Sequence, residues 1–324
     1  MKYEVYFDSG TTNSRLYLLN AQRETVYTAK CEVGARDSAK AHSGEVQTKA
    51  LHEMYVRMLT EKGLSDADIG SVCVSGNVTA KYGVREVPHC VLPMSADRFR
   101  EKLFTFTEDK YFGREITLVP GVKQVSDDIE LTGLARGEEI ELYGMADTLK
   151  MEYGDRTVAV AMPGSHTHVA FMQGDTIAGL NSNMTGEIFH ALRADTVLAP
   201  VLEDVSAPLD DGWVLRGMDA LNRYGITRAL YLAHTMRILE QNEPYERRSF
   251  AEGVIFGGIA QSTKVMTERL FPGCRTLLIA ADGEIGQLYT AVFSACKAYD
   301  SVKLLPAKDE PWSLMGYKKL FAQK

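Results

Sequence analysis

The stretch "FDSGTTNSRLYLL", Phe7 to Leu19, holds a loop of small and polar residues between two apolar runs. With "ETVYTAK" after it, the opening reads strand, turn, strand, strand, a meander. Walker loops and dinucleotide fingerprints need a glycine-rich turn that opens a helix, so the meander excludes both. What remains is a hairpin whose turn carries Asp8, Gly10, Thr11, Thr12, Asn13 and Arg15. A glycine lets successive backbone amides approach a polyphosphate as an anion nest, and Thr11, Thr12 and Asn13 add side-chain donors. Asp8, at the end of the first strand, would sit beside phosphate only with a divalent ion between them, and Mg2+ is the natural candidate. Arg15 can clamp a phosphate or a carboxylate. The bland alternative is a tight turn built from the usual turn residues.

Composition narrows the partner. The 324 residues are 45% hydrophobic and 24% charged, enough for two domains with separate cores. A net charge of −7 gives no footprint for nucleic acid or an anionic membrane, so a small-molecule partner is expected. No basic segment leads a long apolar run, which makes a cytoplasmic protein the expectation. Cys31, Cys73, Cys90, Cys274 and Cys296 show no C-x-x-C spacing and read as reduced thiols. His166 and His168, two apart on an expected strand, would point to opposite faces and share no metal. A homodimer is compatible with the sequence but nothing in it specifies one.

Further along, 44–62 reads as a core helix stopped by Gly63, "SVCVSG" (71–76) as a buried strand ending in a turn at Asn77, and "PMSADRFREKLF" (93–104) as a helix. "EITLVPG" (115–121) begins what reads as a second round, with a loop at 126–137 and a helix opening on Glu138 and Glu139. Acidic residues in a first helical turn are common for dipole reasons, which covers one of the pair, and the other can be a general base. "TVAVAMPGSHTHVAFMQGDTIAG" (157–179) repeats the opening pattern, bringing Gly164, Ser165 and His166 into a second hairpin turn suited to phosphate. Helical stretches near 215–240 and 249–270, a strand at 275–281 and a terminal helix pair complete the reading. Gly283 and Gly286 would let an adenine lie against the backbone, with Gly257 and Gly258 on the other wall; close helix packing is the simpler explanation for the last two. The expected fold is α/β, two similar domains with mixed sheets facing each other across a nucleotide cleft, divided as 1–115 and 116–324.

This arrangement resembles the actin-like (ribonuclease H-like) ATPase superfamily of sugar kinases and, more narrowly, the 2-dehydro-3-deoxygalactonokinase family. The family's D-x-G-[ST]-T-N-x-R pattern is matched by Asp8 to Arg15. Its P-G-x-x-x-S-x-D-D segment leading to R-G-E-E is matched by Pro120, Gly121, Ser126, Asp127, Asp128 and Arg136 to Glu139. M-P-G-[ST]-H and M-T-G-E follow at Met162 to His166 and Met184 to Glu187. The resemblance implies ATP-dependent phosphorylation of the 6-hydroxyl of 2-dehydro-3-deoxy-D-galactonate, with ATP and Mg2+ as cofactors. It also implies Glu138 as base with Glu139 as fallback, Asp8 at the magnesium shell, and Asn77, Asp127, Asp128, Arg136, Thr185 and Glu187 on the sugar-acid side. Two departures fall near the expected substrate. His168 stands where family members carry a lysine, and "GNVTAKYGV" lacks the tryptophan of the family's glycine-rich stretch and has Lys81 instead. Two competing readings follow: a nucleotide-binding sensor that no longer transfers phosphate, and a kinase of a neutral sugar.

Overall fold

The computed structural model describes residues 2–203, 206–306 and 308–322. The chain divides into two compact units, one of Met1–Glu152 with Gly174–Ala178 and Lys308–Lys324, the other of Tyr153–Gln173 with Gly179–Ala307. In the first, β1 (Tyr3–Ser9), β2 (Ser14–Leu19) and β3 (Thr25–Cys31) form the meander, followed by α1 (Ala35–Ala41), α2 (Glu45–Lys62) and β4 (Ile69–Gly76). Then come β5 (Cys90–Val91), β6 (Met94–Ser95), α3 (Ala96–Arg100), β7 (Phe104–Glu108), β8 (Arg114–Leu118), β9 (Val122–Gln124), β10 (Gly133–Ala135) and α4 (Glu138–Tyr153). The second unit holds β11 (Thr157–Met162), β12 (Thr167–Gln173), most of β13 (Thr176–Asn183), α5 (Gly186–Asp195), α6 (Asp211–Tyr224), α7 (Ile226–Ile238), α8 (Pro244–Phe256), α9 (Gly258–Leu270), β14 (Thr276–Ile279), α10 (Gly283–Ala295) and β15 (Ser301–Leu304). The closing helix, α11 (Trp312–Leu320), belongs to the first unit.

The repeat seen as a pattern in the sequence is a repeat in topology. One sheet runs β3-β2-β1-β4-β8 with β7 beyond, and the other, from its opposite end, runs β13-β12-β11-β14-β15. In each, the opening strand pairs antiparallel with the second and parallel with a strand from after the helices. The sequence boundary at 115/116 is displaced, because β8 pairs parallel with β4 and so completes the first sheet. Residues 116–152 therefore count with the first unit. Residues 174–178 do too, because the start of β13 pairs with β6 at Thr176↔Ser95 and Ile177↔Met94.

Alternation along β1 sets what each face meets. Val5 and Phe7 join Leu51, Met54, Tyr55 and Met58 of α2 in the first unit's core. Glu4, Tyr6 and Asp8 occupy the other face and meet α11. Tyr317 stacks on Tyr6 with ring centroids 4.6 Å apart and donates from its hydroxyl to Glu4 Oε2 at 2.9 Å. The second unit's core gathers Ala159, Ala161, Val169 and Phe171 of the sheet with side chains of α6, α8, α9 and α10.

Three expected helices differ. Within 93–104 only the five residues of α3 are helical, capped by Ser95, while Phe104 and Phe106 alternate with threonines and start a strand. The stretches at 215–240 and 249–270 are each two helices, broken at Gly225, whose φ is 75°, and at Gly257. The terminal helix pair is α10 and α11 with β15 between them. Among the described residues no helix is long and apolar enough to cross a membrane.

Candidate active site

In the first unit, Asp8 and Arg15 lie opposite each other in the β1–β2 register, with Arg15 Nη1 3.7 Å from Asp8 Oδ2. Ser313 of α11 donates to the same oxygen at 3.0 Å, a partner nothing in the local sequence announces. Burial raises the Asp8 carboxyl above its ordinary range, while Ser313 and Arg15 pull it back down. The turn is closed internally: the Gly10 N–H donates to Asn13 O at 2.9 Å, so that amide is not the phosphate donor the sequence reading expected. Segment 34–36 braces the loop, Ala35 N–H donating to Gly10 O and Arg36 N–H to Thr11 O. Asn77 reaches Thr11 Oγ1 at 3.4 Å, which brings an expected sugar-side residue onto an expected phosphate loop. Thr12 and Arg15 are exposed, and Asn13 is half-buried with its amide on Thr12 Oγ1.

At the start of α4 the two adjacent glutamates separate. Glu139 is fully buried and its Oε2 accepts from the Gly137 N–H at 2.7 Å. Burial, then the neighbouring Glu138, pushes its carboxyl well above the carboxylate range. Glu138 is half-buried at the first helical position. One helical turn on, Glu141 carries a feature the sequence reading missed. Burial and the charges of Asp8 and Glu138 push its carboxyl up to about 8. Asp8 and Glu138 thus both act electrostatically on Glu141, and the i, i+3 spacing from Glu138 was the available signal. Gly137, with φ at 110°, lets this corner pass 3.3 Å from the Gly76 Cα, measured from where a Cβ would stand.

The expected substrate residues of this unit are partly engaged in holding loops. Arg136 donates to Thr79 Oγ1, to Val87 O at 3.0 Å and pairs with His89 Nδ1 at 3.2 Å, so it ties down the 79–89 loop. Burial and the charges of Arg136 and Lys123 push His89 down to about 4, leaving it a neutral partner for that guanidinium. Asp128 caps the turn at 129–131 by accepting from the Glu130 N–H, and Asp127 is exposed beside it.

In the second unit, the hairpin turn Pro163–His166 is packed against the start of α5. A Cβ on Gly186 would stand 2.3 Å from Gly164 O, so only glycine permits this approach. The Glu187 N–H donates to Ser165 O at 2.8 Å, and His166 Nε2 lies 3.3 Å from Glu187 Oε2. Thr185 is enclosed: its hydroxyl shares a 2.7 Å hydrogen bond with Thr167, which also bonds Tyr289. Glu187, by contrast, is half-exposed. Because His166 lies in the turn rather than on β12, strand alternation does not separate it from His168, and the two rings are 6.0 Å apart. His168 is buried with Nδ1 3.0 Å from Ser182 Oγ, and desolvation followed by His166 pushes it down to about 4. It is neutral and does not replace the cation of a lysine.

Beside this turn opens a cavity of about 320 Å³, within the size of small-molecule sites. Pro163, Gly164 and Gly186 border it, Phe189, Leu209, Phe256, Ile285 and Tyr289 supply apolar wall, and Arg193, Arg248, Glu252 and Glu284 supply charge. Gly257 and Gly283 neighbour the lining residues Phe256 and Glu284 without lining it themselves. A Cβ at Gly257 would meet Met218 and Gly253 O, so that glycine serves helix packing.

The doubled β-meander sheet with these turns defines an actin-like α/β protein of the kind found among sugar kinases. The model for the family described as 2-keto-3-deoxy-galactonokinase matches residues 8–307, and the chain belongs to that family. A crystal structure from Sinorhizobium meliloti that bears the name 2-dehydro-3-deoxygalactonokinase superposes with a TM-score of 0.73 at 18% identity, covering 99% of this chain and 97% of that one. A Rhizobium meliloti (strain 1021) protein, "Probable 2-dehydro-3-deoxygalactonokinase DgoK1", is 27% identical over 128 residues. That match covers 40% of this chain, which spans about two-fifths (39%) of the length of that curated relative.

Proposed function

We propose that the protein is an ATP-dependent kinase that phosphorylates the 6-hydroxyl of 2-dehydro-3-deoxy-D-galactonate. The observation that carries this reading is the family match, which begins on Asp8 and runs through both hairpins and the pocket-lining helices. Glu138, half-buried at the start of α4, takes the proton of the attacking hydroxyl. The oxygen then bonds to the γ-phosphorus, and the bond to ADP breaks with its electron pair leaving on the β-phosphate side. Among the described residues no three His, Cys, Asp or Glu side chains stand close enough to cage a metal. Magnesium is commonly held by one or two carboxylates together with water and phosphate oxygens, and Asp8 with its hard oxygen donors suits that mode. Such an ion would neutralise charge developing on the transferred group. Thr11, Thr12, Asn13 and Arg15 in the first unit and Gly164, Ser165 and His166 in the second are assigned to the phosphates. Asn77, Asp127, Asp128 and Glu187 are assigned to the sugar acid, with Arg136 and Thr185 holding loops in place.

A coupled assay of ADP release with Mg2+, ATP and a panel of 2-dehydro-3-deoxygalactonate, its gluconate epimer and neutral hexoses tests this. The expected result is turnover confined to a keto-deoxy acid, with Glu138→Gln lowering kcat by roughly 10²–10⁴-fold. Turnover of neutral hexoses instead would replace the acid with a neutral sugar. The neutral, buried state of His168 favours one second reading, a nucleotide sensor, and ATP binding without any turnover would establish it.

A further inference from the structure

The cavity of the second unit has two chemically different regions. One is bordered by the Gly164 turn, where small residues and backbone crowd together. The other is built on Arg248, whose side chain is only 11% exposed and whose fork is divided between two carboxylates. Its Nε donates to Glu252 Oε1 at 2.8 Å and its Nη2 to Glu284 Oε2 at 2.8 Å. Arg193 lines the same cavity, so its charged side chains are two guanidiniums and two carboxylates, and ionised carboxylates can only accept hydrogen bonds. Glu284 therefore offers the cavity an acceptor for a donor on a ligand. Glu252 is enclosed, its side chain 4% exposed, whereas Glu284 is 43% exposed and faces the cavity as one of its lining residues. A buried arginine fork bonded to a carboxylate fixes that carboxylate in one orientation, and the apolar side chains of Leu209, Phe256 and Ile285 beside it offer flat surface to a ring.

We propose that Glu284, oriented by Arg248, reads the nucleoside of the bound nucleotide by accepting a hydrogen bond from a neutral donor on it. The donor is a ribose hydroxyl or an exocyclic amine of the base, and the phosphates run toward the Gly164 turn. The inference rests on the kinase reading and deepens it: Glu284 becomes a specificity-determining residue for the nucleotide and Arg248 a positioning residue. A site that hydrogen-bonds a donor discriminates strongly against the analogue that lacks it, because the acceptor is then left unpaired.

The full-length protein is titrated calorimetrically, with Mg2+, against ATP, 2′-deoxy-ATP, 3′-deoxy-ATP and GTP, and the same nucleotides are compared by kcat/KM in the coupled assay. The expected result is at least a tenfold preference for ATP over one analogue: a deoxy analogue if the donor is a ribose hydroxyl, GTP if it is the amine. Glu284→Gln, at a partly exposed position, is expected to cut that preference to threefold or less. Arg248→Lys, which keeps the charge and loses the fork, is expected to reduce the preference in the same direction while a thermal melt confirms folding. Nucleotide binding with no preference among the four, or a preference unchanged in Glu284→Gln, overturns the proposal and leaves the kinase reading standing. Absence of binding by every nucleotide overturns both.

Discussion

Ser313 hydrogen-bonds Asp8 from a helix 305 positions away, and it is one of two groups that pull the Asp8 carboxyl down against burial. Ser313→Ala is expected to raise the Mg2+ concentration needed for half-maximal activity by roughly tenfold or more, read by metal titration of the coupled assay. A hydrogen bond to a charged group contributes about 1.5–3 kcal/mol, which is the size of effect available there. His168 supplies the pH prediction. Its folded pKa of about 4 lies below the ordinary value of 6.5, so between those values the unfolded chain binds a proton that the folded chain does not. Stability is therefore fully present above about pH 6.5 and is lost as the pH falls toward 4, with a slope of at most about 1.4 kcal/mol per pH unit from this group. Chemical denaturation of His168→Gln at several pH values is expected to show a shallower decline over that window; an unchanged slope means the imidazole is solvated in the fold. Neither residue could be weighed from sequence alone, because the environment that shifts each one is assembled by strands and helices distant along the chain.

The crossing of α4 and α11 is decided by two glycines. A Cβ on Gly144 would stand 2.1 Å from Trp312 O, and one on Gly316 would stand 1.8 Å from Ile140 O. Gly144→Ala and Gly316→Ala are each expected to cost about 1–3 kcal/mol, read from urea midpoints. Because α11 also carries Ser313, both are expected to lower activity, and loss of stability without loss of activity would separate the crossing from the site. The α6–α8 pair is built the same way, with Gly217 against Phe250 O at 2.1 Å and Gly253 against Val214 O at 2.0 Å. Helix existence was readable from apolar spacing, as in α2, where Gly63 at φ 63° ends the helix where the pattern stops. These glycines were not readable as contacts, since nothing in a helical pattern says which partner backbone will come close.

At the scale of the molecule, the last helix returns to the first unit after the whole of the second has been traversed. Leu314, Tyr317 and Leu320 are all buried there, and each such side chain contributes about 1.5–3 kcal/mol by leaving water. A chain ending at Pro306 is expected to lose hydrogen-exchange protection in β1 and β2 while α6, α8 and α10 stay protected. Equal loss in both units would mean that the second depends on the first for its stability. The division itself was misplaced in the sequence reading because the strand at 114–118 has the composition of a strand that opens a domain. Only its pairing with β4 assigns it to the end of the first sheet.

Much of this protein is determined by short-range pattern. Alternating apolar residues make both meanders, and the motifs from Asp8 to Arg15, Arg136 to Glu139 and Met162 to Glu187 mark the family, because strand period, turn chemistry and motif spacing are local properties of the chain. Tertiary structure decided the rest. It buried Glu139 and left Glu138 at the helix start, added Glu141 to the electrostatics of Asp8, set Ser313 on that aspartate, and placed Arg248 between Glu252 and Glu284 in a cavity. Burial and long-range partnership depend on which surfaces meet, and that is a property of the packed molecule rather than of any one stretch of sequence.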